Sequence, residues 1–313
     1  MRDPRSRYLS SCFLPLTLAV FAVAAIAEEP SKEEVRIALM LDEPARRHAR
    51  PLPVPAPKLV AKAAFALDVN SGRIFYEKNA DERREVASTQ KLLTALVVCE
   101  AGNLDAPLTV LKEDTQVVPS KLYLRAGEKH PRITLLTTLL VKSANDVARC
   151  LARDNAGSVD AFVAKMNQRA RQLGMKSSSF LTPNGLSQEG QYSTARDMAR
   201  LARAAYQNPV IRRAVFTKQM QFKHNHGRVR TLRNTNRLLS TSPYCNGLKT
   251  GFTNAAGRCL ISSGQSEGAE VIAVVLGSTR TSVLDDSRRL LHWALGVEEE
   301  KAKRTAKAKK KTG

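Results

Sequence analysis

The sequence predicts an α+β domain: an antiparallel sheet flanked by helices, with a helical subdomain. Three observations carry this. An apolar run over residues 63–75 turns at Asn70-Ser71-Gly72 and reads as a β-hairpin near the start of the chain. Three strand-like runs, at 244–248, 258–263 and 270–276, cluster near the end. The middle of the chain and its last segment carry helical patterns instead. Early and late strands sharing one sheet, with helices inserted between them, make an α+β arrangement.

The chain of 313 residues opens with Arg2, Arg5 and Arg7 before an apolar segment over 12–27 that ends in Ala25-Ile26-Ala27. A charged start, an apolar middle and small residues before Glu28 are the parts of a secretory signal peptide, expected over 1–27. Pro15 and a length short of about 20 residues argue against a membrane-spanning helix there. Leu9-Ser10-Ser11-Cys12 has the composition of a lipoprotein box, but it precedes the apolar segment and is discounted. Residues 28–57 mix charges and then alternate Pro51, Pro53, Pro55 and Pro57, which makes an extended linker. One unit over 58–297 follows, long enough for a sizeable core. The tail over 298–313 is lysine-rich, and a disordered basic segment is expected.

Within the central unit, residues 92–101 (LLTALVVCEA) form an apolar helix with Gly102 placed to end it. Ser88 and Lys91 stand at its start, three residues apart and therefore on one face. Serine is a weak nucleophile until a base takes its proton. Lysine can serve when burial and a second positive charge keep it neutral, and Lys249 is the candidate for that charge. Ser143-Ala144-Asn145 lies just before or within a second apolar stretch at 135–151. There a hydroxyl can relay a proton, and an Asn amide can hold a substrate amide through both donor and acceptor. Lys249-Thr250-Gly251 follows the run 244–248, and an extended strand beside the nucleophile could pair with a peptide by strand addition. Gly251 permits close approach, Thr250 offers a hydroxyl, and Lys249 attracts a carboxylate. Each motif alone is weak: S-x-x-K arises by chance, Ser-Ala-Asn-Asp suits any helix start, and Thr-Gly suits any turn. In this order the three form the set S-x-x-K, S-x-N, K-T-G of serine acyl-transfer enzymes that bind penicillin.

At these residues the chain resembles the low-molecular-mass penicillin-binding proteins, the D-alanyl-D-alanine carboxypeptidase A family of serine peptidases. The resemblance runs from about residue 58 to 297 and includes the opening hairpin, SANDVARCLA, TPNGLS, YSTARDMARLA and NGLKTGFTNAAGRCLISSG. It implies the β-lactamase/transpeptidase-like fold, with Ser88 as acylated nucleophile, Lys91 as general base and Ser143 as proton relay. Asn145, Lys249, Thr250 and Gly251 would bind substrate, and the backbone N–H groups of Ser88 and Phe252 would form the oxyanion hole. Expected partners are peptidoglycan stem peptides and β-lactam inhibitors. Three departures from the family pattern stand out. Asn246 replaces a frequent Asp, Phe252 replaces a frequent His, and Val283 aligns with an arginine, leaving Arg280 out of register. No counterpart of the small C-terminal β-domain of longer carboxypeptidases is expected, and the resemblance in single-domain length and in Arg233–Asn236 (RNTN) is closer to the penicillin-binding DD-endopeptidases.

The expected activity is therefore a serine-type D-alanyl-D-alanine carboxypeptidase, with a DD-endopeptidase as the alternative. A β-lactamase of this class needs a deacylating Glu in an E-x-x-L-N loop, and Glu189, the one Glu between the second and third motifs, sits in SQEGQ. A non-catalytic wall-binding protein would most simply have lost Ser88 or Lys91.

The net charge of +21 invites a nucleic-acid reading, but no nucleic-acid motif accompanies it. For an exported protein, periplasmic or extracellular, an anionic envelope surface is the expected partner, against a plain solvated basic face. Removing the leader leaves Cys99, Cys150, Cys245 and Cys259, an even number that permits disulfides, including one between Cys99 and Cys150, or four buried thiols. No Cys/His spacing matches a zinc site, so no metal or other cofactor is expected. His224 and His226 are expected on a polar surface rather than as a ligand pair.

Overall fold

The computed structural model describes residues 55–297 together with Leu52. The leader expected at 1–27, most of the linker expected at 28–57 and the basic tail expected at 298–313 lie outside the described residues. Among the described residues no helix is long and apolar enough to cross a membrane.

Five antiparallel strands form the central sheet: β1 (Ala63–Asp68), β2 (Ile74–Lys78), β7 (Cys245–Thr253), β8 (Gly257–Ser266) and β9 (Ala269–Ser278). Their order is β2-β1-β9-β8-β7, so the first hairpin pairs with the last strand, Phe65 opposite Val274, and β7 forms an edge. Side chains alternate along β1. Ala63, Phe65 and Leu67 enter the larger core, while Ala64 and Ala66 enter a smaller one with Leu290 and Leu291 of α8 (Val283–Ala294). Burial on both faces explains why β1 and β9 read as continuous apolar runs rather than alternating ones. Asp286 fastens α8 to the start of the domain. Its carboxylate accepts from the backbone N–H groups of Val60 and Ala61, both at 2.9 Å, and from Ser278 Oγ at 2.7 Å.

A 3₁₀ turn, Ala87–Gln90, leads into α1 (Lys91–Glu100), which is buried from Lys91 through Val98 and is the hub of the helical half. It ends as its sequence suggests, with Gly102 at φ +72°. Around it pack α2 (Arg132–Lys142), α3 (Asn145–Ala156), α4 (Val159–Gln172), α5 (Ala195–Gln207) and α6 (Pro209–Phe216). Side-chain caps from Ser158, Thr194 and Asn208 start the last three, and Pro209 takes the first-turn position that needs no N–H. A short α7 (Leu238–Thr241) precedes β7.

The structure revises several sequence expectations and, for the cysteines, decides between two that were open. The apolar stretch at 135–151 is two helices, because Ser143 ends α2 in the left-handed region at φ +64° and α3 restarts at Asn145. Lys249-Thr250-Gly251 lies inside β7 rather than after a strand. Two further antiparallel pairs are not signalled by the sequence: β3 (Pro107–Thr109) with the distant β4 (Lys129–Pro131), and the hairpin of β5 (Gln219–Lys223) with β6 (Val229–Arg233). His224, expected on a polar surface, is buried against Glu128, because the β5–β6 turn folds onto β4. Cys99, Cys150, Cys245 and Cys259 are free thiols, and burial pushes Cys99 up to about 12 and Cys245 and Cys259 up to about 11.

Candidate active site

The site assembles on the 3₁₀ turn that carries Ser88. Ala87 adopts φ +49°, which lifts the turn away from a regular helix start. Segment 182–187 closes over it. Gly185, at φ +79°, passes so near that a β-carbon there would lie 2.2 Å from the Ala87 carbonyl oxygen. Edge strand β7 approaches from the other side, and a β-carbon on Gly251 would meet the backbone nitrogens of Ser88 and Thr89 at 3.0 Å. Glycine is therefore needed at both walls of the turn.

Lys91 is wholly buried one turn after Ser88. Its Nζ lies 2.8 Å from Ser88 Oγ, 2.7 Å from Asn145 Oδ1 and 2.5 Å from the Asn184 carbonyl oxygen. Burial holds the Lys91 ammonium well below its ordinary range, the positive charge of Lys249 adds to this, and Asp146 opposes it. Lys249 is also wholly buried, and desolvation lowers it to about 7. Its Nζ donates to the Thr250 carbonyl at 3.0 Å. A lysine favoured in its neutral form at hydrogen-bond distance from a hydroxyl can take that hydroxyl's proton.

The second motif sits at the α2–α3 junction. Asn145 is clamped by its backbone N–H to the Ser120 carbonyl at 2.8 Å and by its Nδ2 to the Pro119 carbonyl at 2.7 Å, which aims its Oδ1 at Lys91. Ser143 stands two residues earlier, half-buried, at the left-handed end of α2. The adjoining Asp146 gathers the loop backbone, accepting from Leu122 and Tyr123 N–H at 2.9 Å and Leu124 N–H at 3.3 Å.

Along β7, Thr250 Oγ1 bonds Thr235 Oγ1 at 2.7 Å, and the Thr235 N–H bonds the Val141 carbonyl at 3.1 Å. The run 233–236 thus ties the edge strand to α2, and Asn236 Nδ2 adds a bond to the Gly247 carbonyl at 2.9 Å. Phe252 is 49% exposed at the outer end, with the Arg258 guanidinium 4.0 Å over its ring. Asn246 points elsewhere, bonding Tyr206 Oη at 2.9 Å and Ser263 Oγ at 2.6 Å.

All eight residues singled out in the sequence lie on these three converging segments. Two participants were missed. Asn184 supplies a carbonyl to both Lys91 and Ser88 Oγ, the latter at 3.2 Å. Thr235 braces Thr250. Both fall in runs quoted for the resemblance, TPNGLS and RNTN, but a backbone acceptor leaves no side-chain signature.

A family model described as D-alanyl-D-alanine carboxypeptidase matches residues 51–280. The chain belongs to this family. Among curated family members it is 31% identical over 278 residues to D-alanyl-D-alanine carboxypeptidase DacF of Bacillus subtilis, covering 87% of this chain and 66% of that protein. It is 33% identical to the D-alanyl-D-alanine endopeptidase of Pseudomonas aeruginosa, covering 92% of this chain and 88% of that one. It spans 61% of Escherichia coli DacA and 66% of DacF, slightly under two thirds of each. The crystal structure of the Streptomyces K15 DD-transpeptidase superposes with a TM-score of 0.74 at 32% identity, over 78% of this chain and all of that one. The α+β architecture with its antiparallel sheet is thus the fold of solved DD-peptidases.

Proposed function

We propose that this family member is a serine-type D-alanyl-D-alanine peptidase of peptidoglycan, trimming terminal D-Ala from stem peptides and acylated by penicillin. The observation that carries the reading is Lys91 Nζ at 2.8 Å from Ser88 Oγ, buried and beside the second lysine. Ser88 Oγ attacks the penultimate D-Ala carbonyl while neutral Lys91 takes its proton. The oxyanion is held by the backbone N–H groups of Ser88 and Phe252, and Ser143 passes the proton to the departing amine. Water then hydrolyses the ester and restores Ser88. The stem lies extended along β7, its amide held by Asn145 and its carboxylate by Lys249 and Thr250, with Gly251 keeping the strand close. The reaction uses only these side chains and water.

A β-lactamase is disfavoured because Glu189 is exposed in its turn rather than placed as a deacylating base. Endopeptidase action on crosslinks is the second reading. It is favoured by the match over nearly the full length of the Pseudomonas aeruginosa endopeptidase and by an apolar ring at Phe252, where the leaving group departs. The leader at 1–27 would export the enzyme to the periplasm or cell exterior, and the basic tail at 298–313 would hold it near the anionic wall.

The experiment is mass spectrometry of purified crosslinked dimers and free pentapeptide, each incubated with the mature enzyme. Release of D-Ala from pentapeptide supports the carboxypeptidase, and conversion of dimers to monomers supports the endopeptidase. Inertness toward both substrates overturns the proposal.

A further inference from the structure

Away from Ser88, the β3–β4 strand pair and the β5–β6 hairpin meet around one carboxylate. Glu128 precedes β4, and His224 and His226 lie in the turn between β5 and β6, brought together although α2 to α6 separate them along the chain. The turn is held in place: Asn225 Oδ1 accepts from the Lys129 N–H at 2.5 Å, and the His224 N–H donates to the Arg228 carbonyl at 2.8 Å. Phe222 packs between neighbours, with ring centroids 4.9 Å from His130 and 5.0 Å from His224, which fixes both imidazoles.

The distances distinguish two kinds of contact. His130 Nε2 lies 2.8 Å from Glu128 Oε2, the length of a charge-assisted hydrogen bond. His224 Nδ1 lies 3.2 Å from both carboxylate oxygens, and His226 Nδ1 lies 3.3 Å from Oε1. One ligand atom from each of Glu128, His224 and His226 falls within 4.8 Å of the others. Metal bonds of about 2.0–2.1 Å in a tetrahedron put ligand atoms about 3.3–3.4 Å apart. The Glu128 contacts to His224 and His226 have that spacing, while the contact to His130 does not.

We propose that Glu128, His224 and His226 form a binding site for a divalent first-row cation of the zinc type, with His130 orienting the carboxylate. Two imidazoles and one carboxylate suit zinc and its neighbours and disfavour calcium or magnesium, which take oxygen donors. Glu128 and His224 are buried, whereas the His226 side chain is 29% exposed, leaving a route for the ion and a fourth position for water. His130 on the second carboxylate oxygen is the outer partner that ligating groups commonly have. The bound ion would clip the β5–β6 hairpin to the β3–β4 pair. Arg230 of β6 donates to the Leu122 carbonyl at 2.5 Å, so the clip would stiffen the loop that supplies Pro119 to Asn145. The site stands independently of the peptidase reading, since it shares no residue with it.

The test uses the mature full-length protein, stripped with chelator and reloaded with zinc or, as a visible-absorption probe, cobalt. Wild type should retain close to one equivalent through gel filtration, show the intense absorption of tetrahedral cobalt and gain thermal stability on loading. His226→Ala removes the accessible ligand with little disturbance to the core and should lose the equivalent, the absorption and the gain in stability. His130→Ala should weaken binding about 10–100-fold without abolishing it. A wild type that retains no metal, or no more than His226→Ala, overturns the proposal and leaves a hydrogen-bonded His/Glu cluster. Penicillin labelling of Ser88 in the stripped protein reports on the peptidase reading separately.

Discussion

Gly185 faces the Ala87 carbonyl so closely that no side chain fits between segment 182–187 and the turn carrying Ser88. The same turn holds Ser88, the proposed nucleophile, so stability and acylation should be linked at this glycine. Gly185→Ala should destabilise the fold by about 1–3 kcal/mol from overlap alone, with the left-handed φ adding to that. It should also slow penicillin acylation in the fraction that remains folded. Thermal melting together with labelling kinetics checks both effects; unchanged kinetics in a folded variant would contradict the geometry.

Ser88→Ala should remove all covalent labelling by a fluorescent penicillin while leaving the melting temperature near that of wild type. Ser88 Oγ makes only long or shared bonds, at 2.8 and 3.2 Å, and truncating it leaves no large cavity. Gel fluorescence against a calibrated wild-type control is sufficient, and residual stoichiometric label would move the nucleophile elsewhere.

The two lysines should separate by substitution. Lys91→Arg should lose acylation almost wholly, because a guanidinium stays charged at neutral pH and cannot accept the serine proton. Lys249→Arg keeps a positive charge and should retain more of the rate. Stopped-flow acylation of both variants would show equal losses if their roles were the same.

Buried Lys249 gives a pH prediction with a definite sign. Its folded value of about 7 lies below the ordinary lysine value, so the unfolded chain binds more protons between those limits. Wild-type stability should therefore rise as pH increases from about 7 toward the ordinary lysine value near 10.4. Lys249→Met removes the buried charge and should be more stable than wild type, with a difference of about 1–4 kcal/mol at or below neutral pH. That difference should shrink as pH rises through this window. Denaturant unfolding at a series of pH values measures it, and a difference independent of pH would refute the assignment.

Much of the site was legible because its chemistry is local. Ser88 and Lys91 share a helix face through spacing alone, and Gly251 marks a close approach through residue type. The split of the apolar stretch at Ser143 was hidden because the left-handed position is taken by serine, where a glycine would have signalled it. Strands β3 and β4 are three residues each, too short for a period to register. In β5 and β6 a single buried position apiece, Phe222 and Leu232, gives a weak alternation. The environment of His224 could not be read either, because Glu128 reaches it from beside β4, a distant part of the chain. The long apolar runs of β1 and β9 were legible for the opposite reason, since burial on both faces leaves few polar residues to interrupt them.

The pairing of Phe65 with Val274 has a consequence for how the chain comes into being. A polypeptide made from its N-terminus places β1 and β2 in solution long before β9 exists to join them, and Ser88 likewise waits for β7. Until β7 emerges, Ser88 has no strand wall beside it and Lys91 has no second lysine nearby. Such distant pairing makes folding slow and late. For a protein exported as proposed, lateness is useful: the nascent chain stays threadable, and the catalytic turn forms only after the whole molecule has been delivered.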